Sequence, residues 1–176
     1  MAAVYCNPTN LDRILRPFLT PLKPPLGKTE LYAIIKDQLL AITTDIPHLI
    51  ANLSNISALL NQAIPDINWV GFYLMQDGKL VLGPFQGKVA CVEIAVGKGV
   101  CGTAVEKDEV QLVPDVHAFP GHIACDGASR SEIVLPIHKD GQVVGVLDID
   151  SPLLGRFTED DKSGLLQIIP IIENIL

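Results

Sequence analysis

The sequence predicts an α+β domain with a central antiparallel sheet, on three observations. A helical pattern begins at Thr29, a run of strand patterns joined by short turns fills the middle, and a helical pattern closes the chain. Helices at both ends of consecutive hairpins are the signature of a segregated α+β layer arrangement. The length of 176 residues allows one well-packed domain, and a composition 48% hydrophobic and 19% charged is that of a globular chain.

The elements follow in order. TELYAIIKDQLL from Thr29 carries Leu31, Ile34, Ile35 and Leu39 at three-and-four spacing, with charges between them. A second helix is expected from about Pro47 through HLIANLSNISALLNQAI, and Pro65 ends it. INWVGFYLM is rich in aromatic and β-branched residues, QDGK is a hairpin turn, and KLVLGPF returns. ACVEIAV reads as a short strand that Cys91 begins, and GKGVCGTAVEKDE as a tight turn feeding a helix. VQLVPDV is a strand, AFPGHIACDGAS a long loop, and SEIVLPIHKDGQVVGVLDIDS a hairpin. FTEDDKSGLLQIIPIIENIL closes as one helix, with Thr158 as N-cap and three acids in its first turn. Residues 1–28 differ: they hold five of the thirteen prolines and are mildly basic, so no long regular helix fits. The expected organisation is a proline-rich extension over 1–28 and a single domain over 29–176.

Charge and composition exclude several function classes. A net charge of −7 argues against a nucleic-acid partner, which demands a basic footprint. No apolar run reaches membrane-spanning length, and Asn, Pro, Asp and Arg interrupt the N-terminus before a signal-peptide core could form. A cytoplasmic protein is expected. There thiols stay reduced, so Cys6, Cys91, Cys101 and Cys125 are not expected to be permanent staples. Their spacings match no zinc pattern, which leaves small buried hydrophobes on one hand and redox or nucleophilic chemistry on the other.

Strand parity points to a site. Glu132, Val134 and Pro136 share one face of the first strand of the last hairpin, and Val144, Val146, Asp148 and Asp150 share one face of its return strand. A three-residue loop in HKDGQ, with Gly141 left-handed in a G1 bulge, would pair His138 with Gln142. Glu132 would then face Asp148 and lie diagonal to Asp150; a two-residue Asp140-Gly141 turn would put the acids on opposite faces. Ile133, Leu135, Ile137, Leu147 and Ile149 form the other face, suited to the helices. Three crowded carboxylates need a cation or a proton among them, and an ammonium group, a metal or a shared proton would each serve. Metal is the weaker reading, since no histidine lies near these acids in sequence. Cys125 lies seven residues before Glu132, so its thiol can hang over the cluster, while Trp69, Phe72 and Tyr73 offer an aromatic wall. Cys101 sits at a helix start, where unsatisfied N–H groups favour a thiolate.

NWVGFY, LVLGPFQGKVAC, GKGVCGTA, VPDVHAFPGHIACD, SEIVLPI and GVLDIDS together resemble the free methionine-(R)-sulfoxide reductases, enzymes built on a GAF domain. The resemblance runs from about Thr29 to the C-terminus. It implies a GAF-like central antiparallel sheet with the N- and C-terminal helices packed on one face and a ligand cavity on the other. It implies redox roles for Cys91, Cys101 and Cys125, substrate carboxylates at Glu132, Asp148 and Asp150, and a pocket wall at Trp69 and Tyr73; Cys6 has no counterpart. The implied reaction is a thiolate, sulfenic acid and disulfide cycle without cofactor or metal. The implied partners are free methionine sulfoxide and thioredoxin or a similar dithiol, with a homodimer left open. Cys125 is the expected attacking thiol and Cys91 its first candidate for disulfide partner, with Cys101 the alternative in each role. A GAF domain that only senses a small ligand or a redox state is the competing reading.

Overall fold

The computed structural model describes residues 27–121 and 127–176. Cys6, Cys125 and nearly all of the proline-rich extension lie outside the described residues. Helices α1 (Lys28–Thr43) and α2 (Leu49–Ala63) lead into strands β1 (Trp69–Gln76), β2 (Lys79–Gln86) and β3 (Glu93–Ala95). Helix α3 (Gly99–Lys107), strand β4 (Gln111–Val113) and a short 3-10 turn at Val116–Ala118 follow. The hairpin β5 (Ser131–Lys139) and β6 (Gln142–Ser151) precedes α4 (Glu159–Leu166) and α5 (Ile169–Glu173). The six strands form one sheet in the order β3-β2-β1-β6-β5-β4, with every neighbouring pair antiparallel.

Period-two alternation gives the sheet two apolar faces. Val70, Phe72, Ile133, Leu135, Ile137, Leu147 and Ile149 pack against Ile35, Leu39, Leu53, Leu60, Leu165 and Ile172 of the terminal helices. Each such side chain contributes about 1.5–3 kcal/mol when fully buried. On the opposite face Trp69, Tyr73, Val134 and Val146 pack with Val100, Cys101 and Ala104 of α3. Phe72 therefore belongs to the helix side, and the expected aromatic wall does not include it. Helix α3 presses close to the sheet margin because Gly102 carries no side chain: a Cβ there would lie 2.3 Å from the Ala95 carbonyl oxygen.

Three local expectations change. The closing helix breaks into α4 and α5, because Pro170 has no N–H to donate back and its ring crowds the preceding turn. The strand after Cys91 is only Glu93–Ala95, so Cys91 lies in the connection before it. The last hairpin turns through two residues, not three: Lys139 pairs with Gln142, and Asp140 and Gly141 both have positive φ, at 52° and 75°. That is the two-residue turn whose twist matches the strands. The acids nevertheless stay on one face, because His138 pairs with Val143 and Ile137 with Gly145. Val144 is thus an extra residue in β6, and this bulge restores the parity that the short turn would have inverted.

The terminal helices are joined by one buried carboxylate. Asp161 accepts hydrogen bonds from Lys28 Nζ at 2.6 Å, the Tyr32 hydroxyl at 3.0 Å, the Thr158 N–H at 2.8 Å and Arg156 at 3.2 Å. The Thr158 bond holds the N-terminus of α4, where the sequence places its cap.

Candidate functional site

The corrected register decides which acids face each other. Glu132 on β5 pairs with Asp150 on β6, not with Asp148, and Asp148 sits one pleat along opposite Val134. On the other side of β6, Trp69 pairs with Asp150 and Gly71 with Asp148. Glu132, Asp148, Asp150, Trp69 and Tyr73 therefore occupy one patch of one face, three adjacent strands wide. Glu132 and Asp148 are each only 6% exposed, and among the described residues the Asp148 Oδ1 atom has no hydrogen-bond partner.

Cys101, on the first turn of α3, closes over this patch. Its Sγ lies 3.9 Å from Glu132 Oε1, and ligating atoms of Cys101, Glu132 and Asp148 fall within 4.8 Å of one another. The helix-start argument for a thiolate does not hold here. Burial first, then the charges of Asp148 and Glu132, push the Cys101 thiol well above its ordinary range. Burial likewise raises Asp148 to about 6, and burial together with the Asp148 and Asp150 charges raises Glu132 well above the carboxylate range. Burial and mutual repulsion thus favour a proton held within the Glu132–Asp148 pair.

The aromatic wall is built by stacking and two anchors. The Trp69 ring stacks on Phe85 at 5.3 Å and on Tyr73 at 6.0 Å between centroids. Trp69 Nε1 donates to the Lys88 carbonyl at 3.1 Å, and the Tyr73 hydroxyl to the Cys91 carbonyl at 3.0 Å. Both anchors fix the connection between β2 and β3, so the wall and the Cys91 backbone are held as one unit. Cys91 is disulfide-bonded, whereas Cys101 is a free, buried thiol. Phe85 joins the wall although its strand pattern alone does not mark it; only a β1–β2 pairing register would have. Cys101 beside the acids was likewise invisible to strand parity, because it arrives on a helix. Cys125 lies outside the described residues.

Comparison with known proteins agrees with this architecture. The GAF domain family model matches residues 55–176. The free methionine-R-sulfoxide reductase of Escherichia coli (strain K12) is 54% identical over 151 residues, covering 86% of this chain and 92% of the relative. Among solved structures, the fRMsr of Staphylococcus aureus in complex with substrate is 55% identical with a TM-score of 0.79, covering 82% of this chain and 95% of that one. The free methionine-R-sulfoxide reductase of Neisseria meningitidis, also in complex with its substrate, is 43% identical with a TM-score of 0.83, covering 86% and 91%. The chain belongs to the GAF-domain family and, within it, to the free methionine-R-sulfoxide reductases.

Proposed function

We propose that this chain reduces free methionine-(R)-S-oxide to methionine, with Cys125 attacking, Cys91 resolving, and thioredoxin or a similar dithiol restoring the thiols. The observation that carries the reading is the buried acid patch beneath the aromatic wall, with an Asp148 oxygen that no donor among the described residues satisfies. Among the described residues neither Glu132 nor Asp148 pairs with a basic side chain, which supports a cationic group on the ligand. A free amino acid supplies an ammonium for that purpose, and Trp69 and Tyr73 suit its methyl thioether end.

The Cys125 thiolate bonds to the sulfoxide sulfur, the sulfoxide oxygen takes a proton, and the hydroxyl passes to the cysteine sulfur as methionine leaves. The enzyme then carries a sulfenic acid. The Cys91 thiol displaces that hydroxyl as water and forms a disulfide, which an external dithiol reduces by exchange, supplying two electrons. Glu132, Asp148 and Asp150 hold the substrate ammonium in this reading, and one of them, kept protonated in the buried patch, gives the oxygen its proton. Cys101, kept as a thiol, is poorly prepared to attack; that supports Cys125 as the nucleophile. Val89 and Val92 beside Cys91 are 87% and 68% exposed, an apolar rim suited to a protein reductant. A thiol cycle also needs a reducing compartment, which supports the cytoplasm. The catalytic unit is taken as residues 29–176, preceded by the proline-rich extension over 1–28.

Single-turnover assays test the assignment. Reduced Cys125→Ser should release no methionine even without recycling, while Cys91→Ser should release about one per enzyme and leave a trapped sulfenic acid. Cys101→Ser should complete its first turnover. One methionine from Cys125→Ser with none from Cys101→Ser would reverse the roles, and no sulfoxide consumption by the native chain would leave a sensor.

A further inference from the structure

We propose that Cys101, Glu132 and Asp148 form a three-ligand site for a thiophilic divalent cation, zinc or cadmium. The three residues come from separate elements: α3 supplies the sulfur, β5 and β6 one carboxylate each. All three are buried, and their ligating atoms lie within 4.8 Å of one another. The Sγ–Oε1 separation of 3.9 Å is already near what a shared ion demands. With bonds of about 2.3 Å to sulfur and 2.0 Å to oxygen, a tetrahedral ion holds sulfur and oxygen about 3.5 Å apart and two oxygens about 3.3 Å apart. Closing the set needs movements of roughly an ångström, within the reach of side-chain torsions.

A second observation points to a ligand independently of this spacing. Asp148 Oδ1 is buried and receives no hydrogen bond among the described residues, which is unusual for a buried carboxylate oxygen. A cation bonded there would satisfy it and would neutralise the two neighbouring carboxylates. The donor set selects the metal. One soft sulfur with two oxygens suits zinc or cadmium, whereas magnesium and calcium want oxygen alone and more of it. Three protein donors leave a fourth position open to water. The sulfur ligates as thiolate, its proton passing to solvent. The ion would occupy the place assigned above to the substrate ammonium, but its binding does not depend on that assignment.

The test uses the full chain carrying Cys6→Ser, Cys91→Ser and Cys125→Ser, which leaves Cys101 as the sole thiol. Titration with cadmium chloride should produce an ultraviolet thiolate-to-cadmium charge-transfer band that saturates at one equivalent. Zinc chloride should abolish the band and excess magnesium should not. Adding Cys101→Ser should remove it. Asp148→Asn and Glu132→Gln, which retain the thiol, should each weaken cadmium binding at least tenfold, with near-ultraviolet circular dichroism confirming the fold. A missing band, or a band whose affinity is unchanged in both carboxylate variants, overturns the site. Absorbance reads the metal alone, so a chain that turned over no sulfoxide would leave this result unaffected.

Discussion

Glu132 and Asp148 each hold a proton more tightly in the folded protein than in the unfolded chain, so this pair costs stability as pH rises. Their folded values lie above the ordinary carboxylate range, with Asp148 at about 6. The folded state therefore binds more protons between the unfolded and folded values, and stability falls with rising pH across that window. Glu132→Gln replaces an acid whose ionised form is repelled by Asp148 and Asp150 with a group that stays neutral. It should stabilise the ligand-free protein by about 0.5–2 kcal/mol at pH 8, measured by urea denaturation, while raising KM for free methionine sulfoxide about tenfold or more. An unchanged KM would remove Glu132 from substrate binding. At the rim, Val89→Glu with Val92→Glu should raise KM for thioredoxin several-fold and leave turnover with a small dithiol unaltered, because only a protein needs the apolar contact. The three acids were legible in the sequence because strand parity is a one-dimensional property. The state of Cys101 was not: a helix start argues for a thiolate, but burial against two carboxylates outweighs it, and burial depends on how α3 docks.

At the scale of elements, the hairpin shows how a wrong turn can accompany a right face. HKDGQ fits two loop lengths, and the positive φ of both Asp140 and Gly141 selects the shorter. Nothing in GQVVGVLDIDS marks Val144 as unpaired; the residue after it, Gly145, pairs with Leu74 of the neighbouring strand β1. There the Tyr73 carbonyl oxygen lies 2.6 Å from where a Cβ on Gly145 would be. The same hairpin carries a second device at its far end. His138 contacts Asp108 at 2.7 Å and Glu173 at 3.0 Å, tying the end of α3 and the last turn of α5 to β5. The Asp108 bond first, then Glu173, raises the imidazole above its ordinary 6.5, against opposing burial. Its contribution is therefore complete below pH 6.5 and is lost as pH rises through the higher folded value. His138→Gln should lower stability at pH 6 by less than about 1 kcal/mol, since the pair is substantially exposed, and should cost less at pH 9. Equal losses at both values, read from urea midpoints, would show that charge is not involved.

For the molecule as a whole, Asp161 closes the helical layer by joining Lys28 at one end of the chain to α4 at the other. Burial alone would raise this carboxyl, but Lys28, the Thr158 N–H, Tyr32 and Arg156 outweigh burial and hold it below the usual 3.8. The stabilisation is thus present above that value and lost as pH falls through the lower folded one. Asp161→Asn should cost about 3–5 kcal/mol at pH 7, because it leaves buried donors and Arg156 without their anion. Thermal melts would check this, and a loss under about 1 kcal/mol would show the hub to be peripheral. The two-layer arrangement was readable from helical periodicity at both ends of the chain, whereas this hub was not, since Lys28 and Asp161 are 133 positions apart. The Val144 bulge has a last consequence, for what the chain can carry. It lies between the Asp140–Gly141 tip and the acids, and the tip stands about 26 Å of strand from Glu132. Register at the acids is reset below the tip, so a foreign peptide spliced between Asp140 and Gly141 would be accommodated whether its length were odd or even. Removal of the single residue Val144 would turn Asp148 and Asp150 into the helical core. The molecule thus offers an insertion port at one end of a hairpin whose other end tolerates no change in count.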